Sequence, residues 1–364
     1  MVWGDLMTLE YGKPVKDKDR WDGKNPVYGT NGQIGTSDLA PLCNHASFIL
    51  GRKGAYRGVH YSAVPFSVID TAFFAEPISD QLDLHWAYYK FLTYDINSMD
   101  SGSAIPSTDR YEIYSLSVSL PPIEVQKKVV SILDSFDQKI RMNNQINDNL
   151  YEMASVLFTS LFGNSVHQIT TVGQYSEQIY SGGTPSTSKP EFWGGGLHWF
   201  SSGETRNRFA ITTEKTITNA GVDNSSTKLA HKYDIVMASA GQGFTRGQTT
   251  MLLMDTYVNQ SVIVIHADRL HLPYLFWNLA NRYEELRAIS DSSSIRGSLT
   301  TKMIAGFEIA VATPQALQEF SNFAWSVISE IEKNLLENER LAALRDALLP
   351  RLMSGEIDVS SVII

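Results

Sequence analysis

The sequence predicts an α+β protein in which two globular mixed α/β domains are joined by two long antiparallel helices, with a pseudo-two-fold internal repeat. Three observations predict this fold class. Short motifs recur at a nearly constant offset, β-branched runs bounded by glycine turns occur in both halves, and each half ends in a long heptad pattern. The 364 residues with 43% hydrophobic content suffice for a sizeable core.

An internal repeat relates the two halves. The segment Gly54–Gly58 (GAYRG) recurs as Gly243–Gly247 (GFTRG), 189 positions later, and Asn143 falls on Asn334 at an offset of 191. An offset that changes so little predicts two copies of one unit of about 190 residues. A repeat of this size indicates a pseudo-dimer, since solenoid repeats usually have about 20–45 residues.

The first part of each copy predicts a compact domain of short strands with some helix. Runs such as Ala46–Leu50 and Ser261–Ile265 are rich in apolar and β-branched residues and lie between glycine-containing turns. Leu84–Leu92 and Leu272–Ala280 carry aromatic residues three and four positions apart. That spacing favours one helix in each copy, with its aromatic side chains in the core.

The second part of each copy predicts a helix of roughly 40 residues, about 60 Å long. Pro122 and Pro314 stand where a first-turn proline is tolerated, and an apolar heptad pattern follows each. Matching mid-helix asparagines predict that the helices pair as an antiparallel coiled coil with Asn facing Asn. Packing on the helix's own domain, or pairing between chains, stays open. The register residues are Asn143, Asn147, Asn334 and Asn338.

These patterns divide the chain into four segments. Residues 1–119 and 165–311 are the predicted globular domains, 120–164 is the first long helix, and 312–364 is the second long helix with a C-terminal tail. We expect the two domains at opposite ends of a stiff two-helix rod.

Composition excludes several classes of protein. A single cysteine, Cys43, excludes a disulfide framework and a multi-cysteine zinc site, and it fits a reducing cytosol. The histidines lack metal-ligand spacing, so we expect no metal and no cofactor in this chain. Apolar runs too short to cross a bilayer, and an N-terminus without a signal core, predict a cytoplasmic protein with no membrane partner.

Charge is unevenly distributed along the chain. The net charge of −9 argues weakly against nucleic acid as a partner. However, no acidic residue occurs from Leu39 to Ile69, where Arg52, Lys53 and Arg57 cluster. That stretch is either a solvated loop or a positive surface directed at a partner.

Signatures of catalysis are largely missing from the sequence, so we do not expect an enzyme. No GxSxG elbow, phosphate loop, HExxH motif or CxxC pair occurs. Asn25–Tyr28 (NPVY) partly matches the Asn-Pro-Pro-aromatic signature of amino-methyltransferases, but Val27 replaces the second proline. We interpret this as a chance match.

The chemistry that remains is binding, and side chains in glycine-flanked loops are of types that can contact DNA. For each of them a plain surface role stays open. Arg and Lys neutralise phosphates or reach guanine, and Asn and Gln read adenine in the major groove. Arg57 and Arg246 lead the candidates because they occupy equivalent positions in the repeat. The predicted DNA-binding residues are Thr30, Asn31, Gln33, Arg52, Lys53, Tyr56 and Arg57 in the first copy, and Arg206, Asn207, Arg208, Gln242, Phe244, Arg246 and Gln248 in the second.

Several short stretches occur in a characteristic order along the chain. They are Pro26–Gly32, Leu50–Gly54, Asp70–Ala72, Leu120–Pro122 with Gln126, Ser181–Ser186 leading to Phe192–Trp193, and Leu348–Ile357. With the order of the four segments, they resemble the DNA-specificity (S) subunit of type I restriction–modification systems, over essentially the whole chain. The second copy departs from the family pattern at Ala312–Pro314, where a paired proline is expected, and at Arg345, which replaces Ala154 of the first copy.

The resemblance implies a non-catalytic protein that directs partner enzymes to DNA. Residues 1–119 and 165–311 would be target-recognition domains, each reading one half of a bipartite target in double-stranded DNA, and the paired helices would set the spacer. The implied partners are two modification (M) methyltransferase subunits, which use S-adenosylmethionine, and restriction (R) subunits, which use ATP and Mg²⁺.

Two other functions stay open on sequence grounds. A fused DNA methyltransferase or nuclease would carry its own chemistry, against which the absence of a glycine-rich cofactor loop argues. A scaffold that binds no nucleic acid would use the helices only to join two protein-binding domains. Salt-dependent binding of bipartite DNA by the assembled complex would exclude such a scaffold.

Overall fold

The computed structural model describes residues 1–16, 23–99, 106–163, 168–241, 244–292 and 297–362. The predicted mixed α/β class is confirmed. The chain forms two compact units, which we call unit 1 (Met1–Ile140 with Arg340–Ile364) and unit 2 (Arg141–Glu339). Both long helices are divided between the units, so the functional boundaries at residues 119, 164 and 311 stay a prediction.

Both units combine strands with helices, and in unit 1 all the described strands precede the α-helices. None of the described helices is both long enough and apolar enough to cross a membrane. The strands are β1 (Met7–Tyr11), β2 (Asn25–Gly29), β3 (Gly32–Ser37), β4 (Ser47–Gly51), β5 (Val59–Ser62), β6 (Ser67–Val68), β7 (Ala72–Pro77), β8 (Ile169–Thr171), β9 (Gln178–Ser181), β10 (Trp193–Phe200), β11 (Phe209–Ala210), β12 (Lys215–Ile217), β13 (Lys228–Ala230), β14 (Ile235–Ala238), β15 (Thr249–Leu252), β16 (Thr256–Val258), β17 (Val262–His266) and β18 (Glu308–Ala310). The α-helices are α1 (Leu84–Phe91), α2 (Arg110–Ser115), α3 (Ile123–Phe162), α4 (Val172–Tyr175), α5 (Asn219–Asp223), α6 (His271–Ala280), α7 (Tyr283–Ser292), α8 (Thr301–Ala305) and α9 (Pro314–Met353).

The two units share a strand order, which supports the internal repeat inferred from the sequence. Unit 1 has the antiparallel order β1-β7-β4-β5, and unit 2 has β9-β17-β14-β15 in the same sense, extended by β11. Each unit also has a smaller sheet with one parallel pair, β2 with β6 and β10 with β16. A common topology therefore underlies the repeated motifs.

The core of unit 1 forms where α1 packs on the main sheet. Asp83 caps this helix by accepting hydrogen bonds from the backbone N–H groups of His85 and Trp86. The ring of Phe91 lies between two other buried rings, with centroid distances of 4.7 Å to Trp3 and 4.9 Å to Phe48. The predicted aromatic helix is thus confirmed as a core element.

The start of α3 and the end of α9 contribute to the same core. Val129 and Leu133 of α3 and Leu352 of α9 are buried in it. Asp137 of α3 accepts hydrogen bonds from Arg345 of α9 and, at 2.6 Å, from the hydroxyl of Tyr89 in α1. The charged residue that interrupts the apolar pattern of α9 is therefore neutralised by a carboxylate on α3.

Unit 2 has a larger core under α6, in which every residue from Leu272 to Leu279 is buried. Phe320 of α9 reaches this core, with its ring centroid 5.6 Å from that of Trp277 and 5.3 Å from that of Phe158 in α3. The parts of the long helices that belong to unit 2 are therefore packed against α6.

Amide side chains also connect α3 with α9 inside unit 2. Asn334 Nδ2 donates to Asn147 Oδ1 at 2.8 Å, and Asn143 Nδ2 donates to Asn338 Oδ1 at 2.9 Å. A later residue of α3 thus contacts an earlier residue of α9, so the two segments run antiparallel. Coiled-coil packing, and a role for these asparagines in its register, stay predictions.

Removing one amide of the buried Asn147–Asn334 pair should cost more than replacing both. Both side chains are buried, so Asn334→Ala leaves Asn147 Oδ1 without its donor and should lower stability by about 1–3 kcal/mol. Replacing both residues by leucine removes the unpaired group and should recover most of that loss. Urea denaturation measures the three proteins. A double variant at least as unstable as Asn334→Ala would contradict the prediction.

Candidate nucleic-acid interface

Two loops of unit 1 bring its predicted DNA-binding residues together. Thr30 and Asn31 form the turn between β2 and β3, and the arginine loop, defined as residues 52–58, connects β4 to β5. The backbone N–H of Gly58 donates to the carbonyl of Thr30 at 3.0 Å. A Cβ on Gly51 would lie 2.5 Å from Thr30 Oγ1 and 2.7 Å from the Cα of Arg57, so only glycine allows the loops to approach this closely.

The side chain of Arg57 points into unit 1. It is 1% exposed, its Nη2 donates to the carbonyl of Asn97 at 2.7 Å, and its backbone N–H donates to Asn97 Oδ1 at 2.7 Å. Asn97 belongs to a 3₁₀ turn that follows α1. This geometry favours Arg57 as the anchor of the arginine loop, and its contact with DNA stays a prediction.

Other members of the unit 1 set face the surface. Tyr56, next to the buried arginine, is 62% exposed. The guanidinium carbon of Arg52 lies 4.7 Å from the ring centroid of Tyr11, and Lys53 beside it is half-buried. Solvent-exposed side chains among the unit 1 candidates are those of Asn31, Gln33 and Tyr56.

The histidine beside this surface adds little positive charge. His60 Nε2 lies 3.2 Å from the carbonyl oxygen of Thr30. Burial lowers the pKa of His60 below 6.5, against the opposing effect of that carbonyl. The imidazole is therefore neutral at physiological pH, and the half-buried Arg52 and Lys53 supply the positive charge beside this surface.

Unit 2 repeats the arrangement in the loop between β14 and β15. Arg246, the counterpart of Arg57, is 8% exposed; its Nη1 donates to the carbonyl of Gly297 at 2.5 Å and its Nη2 pairs with Asp291. Phe244, two residues earlier, is 86% exposed, while its carbonyl accepts a hydrogen bond from the hydroxyl of Tyr283 at 2.7 Å. We call residues 244–248 the phenylalanine loop.

The remaining unit 2 candidates are placed differently. Arg206 pairs with Glu214. Arg208 lies over the ring of Tyr151 in α3, with its guanidinium carbon 4.2 Å from the ring centroid. The carbonyl of Asn207 accepts a hydrogen bond at 2.5 Å from Thr250 in β15, the strand that follows the phenylalanine loop. Gln248 is half-buried in that loop, and Gln242 lies outside the described residues.

Each loop therefore combines a buried arginine with an exposed aromatic residue one or two positions earlier. Exposed aromatic side chains on loops are suited to stack on bases or to wedge between base steps. The sequence favoured the arginines, because their internal partners lie 40 and 45 positions away and no local pattern indicates them. Exposed Tyr56 and Phe244 are the better candidates for direct contact.

Comparison with known proteins finds similar sequences and structures. Residues 3–152 match the family model described as the type I restriction modification DNA specificity domain. The chain is similar in sequence to type I specificity subunits. One such relative, the specificity subunit of the type I restriction enzyme HindI from Haemophilus influenzae, is 23% identical across 67% of this chain and 70% of its own length.

Two further type I specificity subunits are similar to this chain. The EcoR124I/EcoR124II specificity subunit from Escherichia coli is 25% identical across 61% of this chain and 59% of its own length, which is less than two thirds of that relative. The crystal structure of an S subunit from M. genitalium superposes with a TM-score of 0.60 at 14% identity, covering 97% of this chain and 95% of that one. This likeness establishes a shared fold over almost the whole chain.

Proposed function

We propose that this chain is the DNA-specificity subunit of a type I restriction–modification complex and catalyses no reaction itself. The observation that carries the proposal is the repeated loop, in which a buried arginine anchors an exposed aromatic side chain in both units. The family match over residues 3–152 includes the arginine loop of unit 1. The shared strand order extends the same argument to unit 2.

Each unit would read one half of a bipartite target in double-stranded DNA. Asn31, Gln33 and Tyr56 would contact the first half-site, and Phe244 with its neighbours the second. Amide side chains read base edges, whereas aromatic rings are more tolerant of sequence. Because the residues that flank Tyr56 and Phe244 differ, the two half-sites would have different sequences.

The long helices would set the spacer between the half-sites and dock two modification subunits. Methyl transfer from S-adenosylmethionine, and ATP- and Mg²⁺-dependent cleavage by restriction subunits, would then be activities of the partners. Enzymes that methylate a base in duplex DNA flip that base into an active-site pocket. This chain would only hold the duplex, so a partner would supply the pocket and carry out the methyl transfer. The complex would act in the cytoplasm, where its DNA lies.

Mapping of methylated adenines tests the proposal. The chain is expressed with a candidate modification (M) methyltransferase subunit, and genomic DNA is compared with that of cells lacking either protein. We expect methylation at one bipartite sequence only when both are present. Methylation by the purified chain alone would instead support a fused enzyme. If the assembled complex shows no salt-dependent binding of DNA, the result would support a scaffold that binds no nucleic acid.

Deleting one heptad from both long helices should shorten the spacer. Seven helical residues span about 10 Å, which corresponds to about three base pairs of duplex at about 3.4 Å each. The deletions are placed opposite each other in α3 and α9, and a deletion in α3 alone serves as the control that disrupts pairing. We expect methylation at the same half-sites with a spacer about three base pairs shorter. An unchanged spacer would refute the proposal that the long helices set its length.

A further inference from the structure

Three potential metal ligands of different chemistry converge in unit 1, two of them in the segment before β4. A sulfur of Cys43, a ring nitrogen of His45 and a carboxylate oxygen of Glu76 lie within 4.8 Å of one another. No sequence pattern indicates this cluster, because Glu76 is 31 positions from His45. Pairing of β4 with β7 places the two segments side by side.

The backbone holds each ligand in place. Cys43 and Phe66 exchange two backbone hydrogen bonds, of 2.9 and 3.0 Å, which fix the segment before β4. His45 lies two residues before the first residue of β4, and Glu76 lies in β7 directly opposite Thr8 of β1. The cluster is therefore set by a sheet and an adjoining bridge, and does not depend on a freely moving loop.

The imidazole of His45 is oriented as in protein metal sites. Its Nδ1 lies 3.0 Å from the carbonyl oxygen of Ala46, which accepts a hydrogen bond and so places a proton on Nδ1. Its Nε2 lies 2.8 Å from Glu76 Oε2 and faces the cluster. Histidine ligands commonly donate their second N–H to a backbone carbonyl, which fixes the ring and the tautomer.

We propose that Cys43, His45 and Glu76 bind a divalent cation of the zinc class, with water as the fourth ligand. Thiolate, imidazole and carboxylate together are a ligand set that suits Zn²⁺. Cys43 is buried, whereas His45 and Glu76 are partly exposed, which gives the ion a path from solvent. The bound ion would tie the segment before β4 to β7 and stabilise unit 1.

Protons compete with the metal at two of the three ligands. Binding removes the thiol proton of Cys43 and the Nε2 proton that His45 donates to Glu76, so both protons are released when the metal–sulfur and metal–nitrogen bonds form. Affinity should therefore increase as the pH rises.

Cobalt(II) titration of the full chain tests the site directly. Co²⁺ substitutes for Zn²⁺ and gives a near-ultraviolet charge-transfer band when it binds a thiolate. Because the chain has one cysteine, such a band reports Cys43. We expect a band that saturates at one equivalent, disappears on addition of Zn²⁺, and forms more readily at higher pH. A wild-type chain with no thiolate band under these conditions would overturn the proposal.

Matched variants distinguish metal binding by all three ligands from metal binding by the Cys43 thiol alone. Glu76→Gln keeps the size of the side chain, and His45→Ala removes the nitrogen ligand; each should weaken Co²⁺ binding at least tenfold while circular dichroism stays unchanged. The control is His271→Ala, which disrupts an imidazole–carboxylate pair with Asp268 that has an Nδ1–Oδ2 distance of 2.7 Å, and it should leave the titration unaltered. Equal affinities of wild type, His45→Ala and Glu76→Gln would overturn the three-ligand site.

Discussion

Replacement of Phe320 by alanine is expected to lower the free energy of unfolding by about 3–5 kcal/mol, the usual cost of truncating a buried phenylalanine. The ring is fully buried and contacts Trp277 of α6 and Phe158 of α3, with centroids 5.6 and 5.3 Å away. Three helices meet at this side chain. A cavity here would therefore weaken the packing of both long helices on the core of unit 2.

Urea denaturation followed by tryptophan fluorescence measures this loss. Leu336→Ala on the same helix is the control, because its side chain is exposed and its removal should change stability by no more than about 0.5 kcal/mol. Domains commonly have a free energy of unfolding of about 5–15 kcal/mol, so the Phe320 variant would lose a large part of this stability. Similar midpoints for the two variants would show that the helices do not depend on this contact.

Replacement of Phe244 by alanine is expected to weaken binding of target DNA by the assembled complex by about 1–3 kcal/mol, the range found for loss of an aromatic stacking partner. The ring is 86% exposed, so its removal should leave thermal stability unchanged. Phe244→Tyr keeps the aromatic face and should restore binding. Unchanged affinity for Phe244→Ala would remove this residue from the interface.

The buried arginine of the same loop provides the comparison for that experiment. If Arg246 anchors the phenylalanine loop, Arg246→Ala lowers stability and affinity but leaves the slope of log affinity against log salt unchanged. A direct phosphate contact would instead reduce the slope by about one. Arg57→Ala tests unit 1 in the same way. A reduced slope for either variant would support the DNA contacts that the sequence predicts for these arginines.

Local periodicity accounts for the parts of the fold that could be predicted. The heptad pattern placed long helices within 120–164 and 312–364, and the structure has α3 at Ile123–Phe162 and α9 at Pro314–Met353. The aromatic spacing predicted helices at Leu84–Leu92 and Leu272–Ala280, which are observed as α1 and α6. These signals are local because a helix repeats every 3.6 residues, as its backbone geometry requires.

Burial of polar side chains could not be predicted in the same way. Arg57 and Arg246 stand between glycines in an otherwise polar stretch, which is typical of a surface loop. Their partners, Asn97 and Asp291, are brought to them by the turn after α1 and by α7. Whether a guanidinium faces solvent or a buried carbonyl depends on such distant contacts, and these leave no periodic trace in the chain.

The amino-acid sequence by itself determined the mixed α/β class, the duplication and the two long helices, because each depends on spacing between neighbouring residues or on direct similarity between copies. Tertiary structure alone decided that Tyr56 and Phe244, and not Arg57 and Arg246, protrude from the arginine loop and the phenylalanine loop. It also decided that Cys43, His45 and Glu76 meet. Both outcomes depend on which strands and turns pack side by side, and packing joins residues that are far apart along the chain.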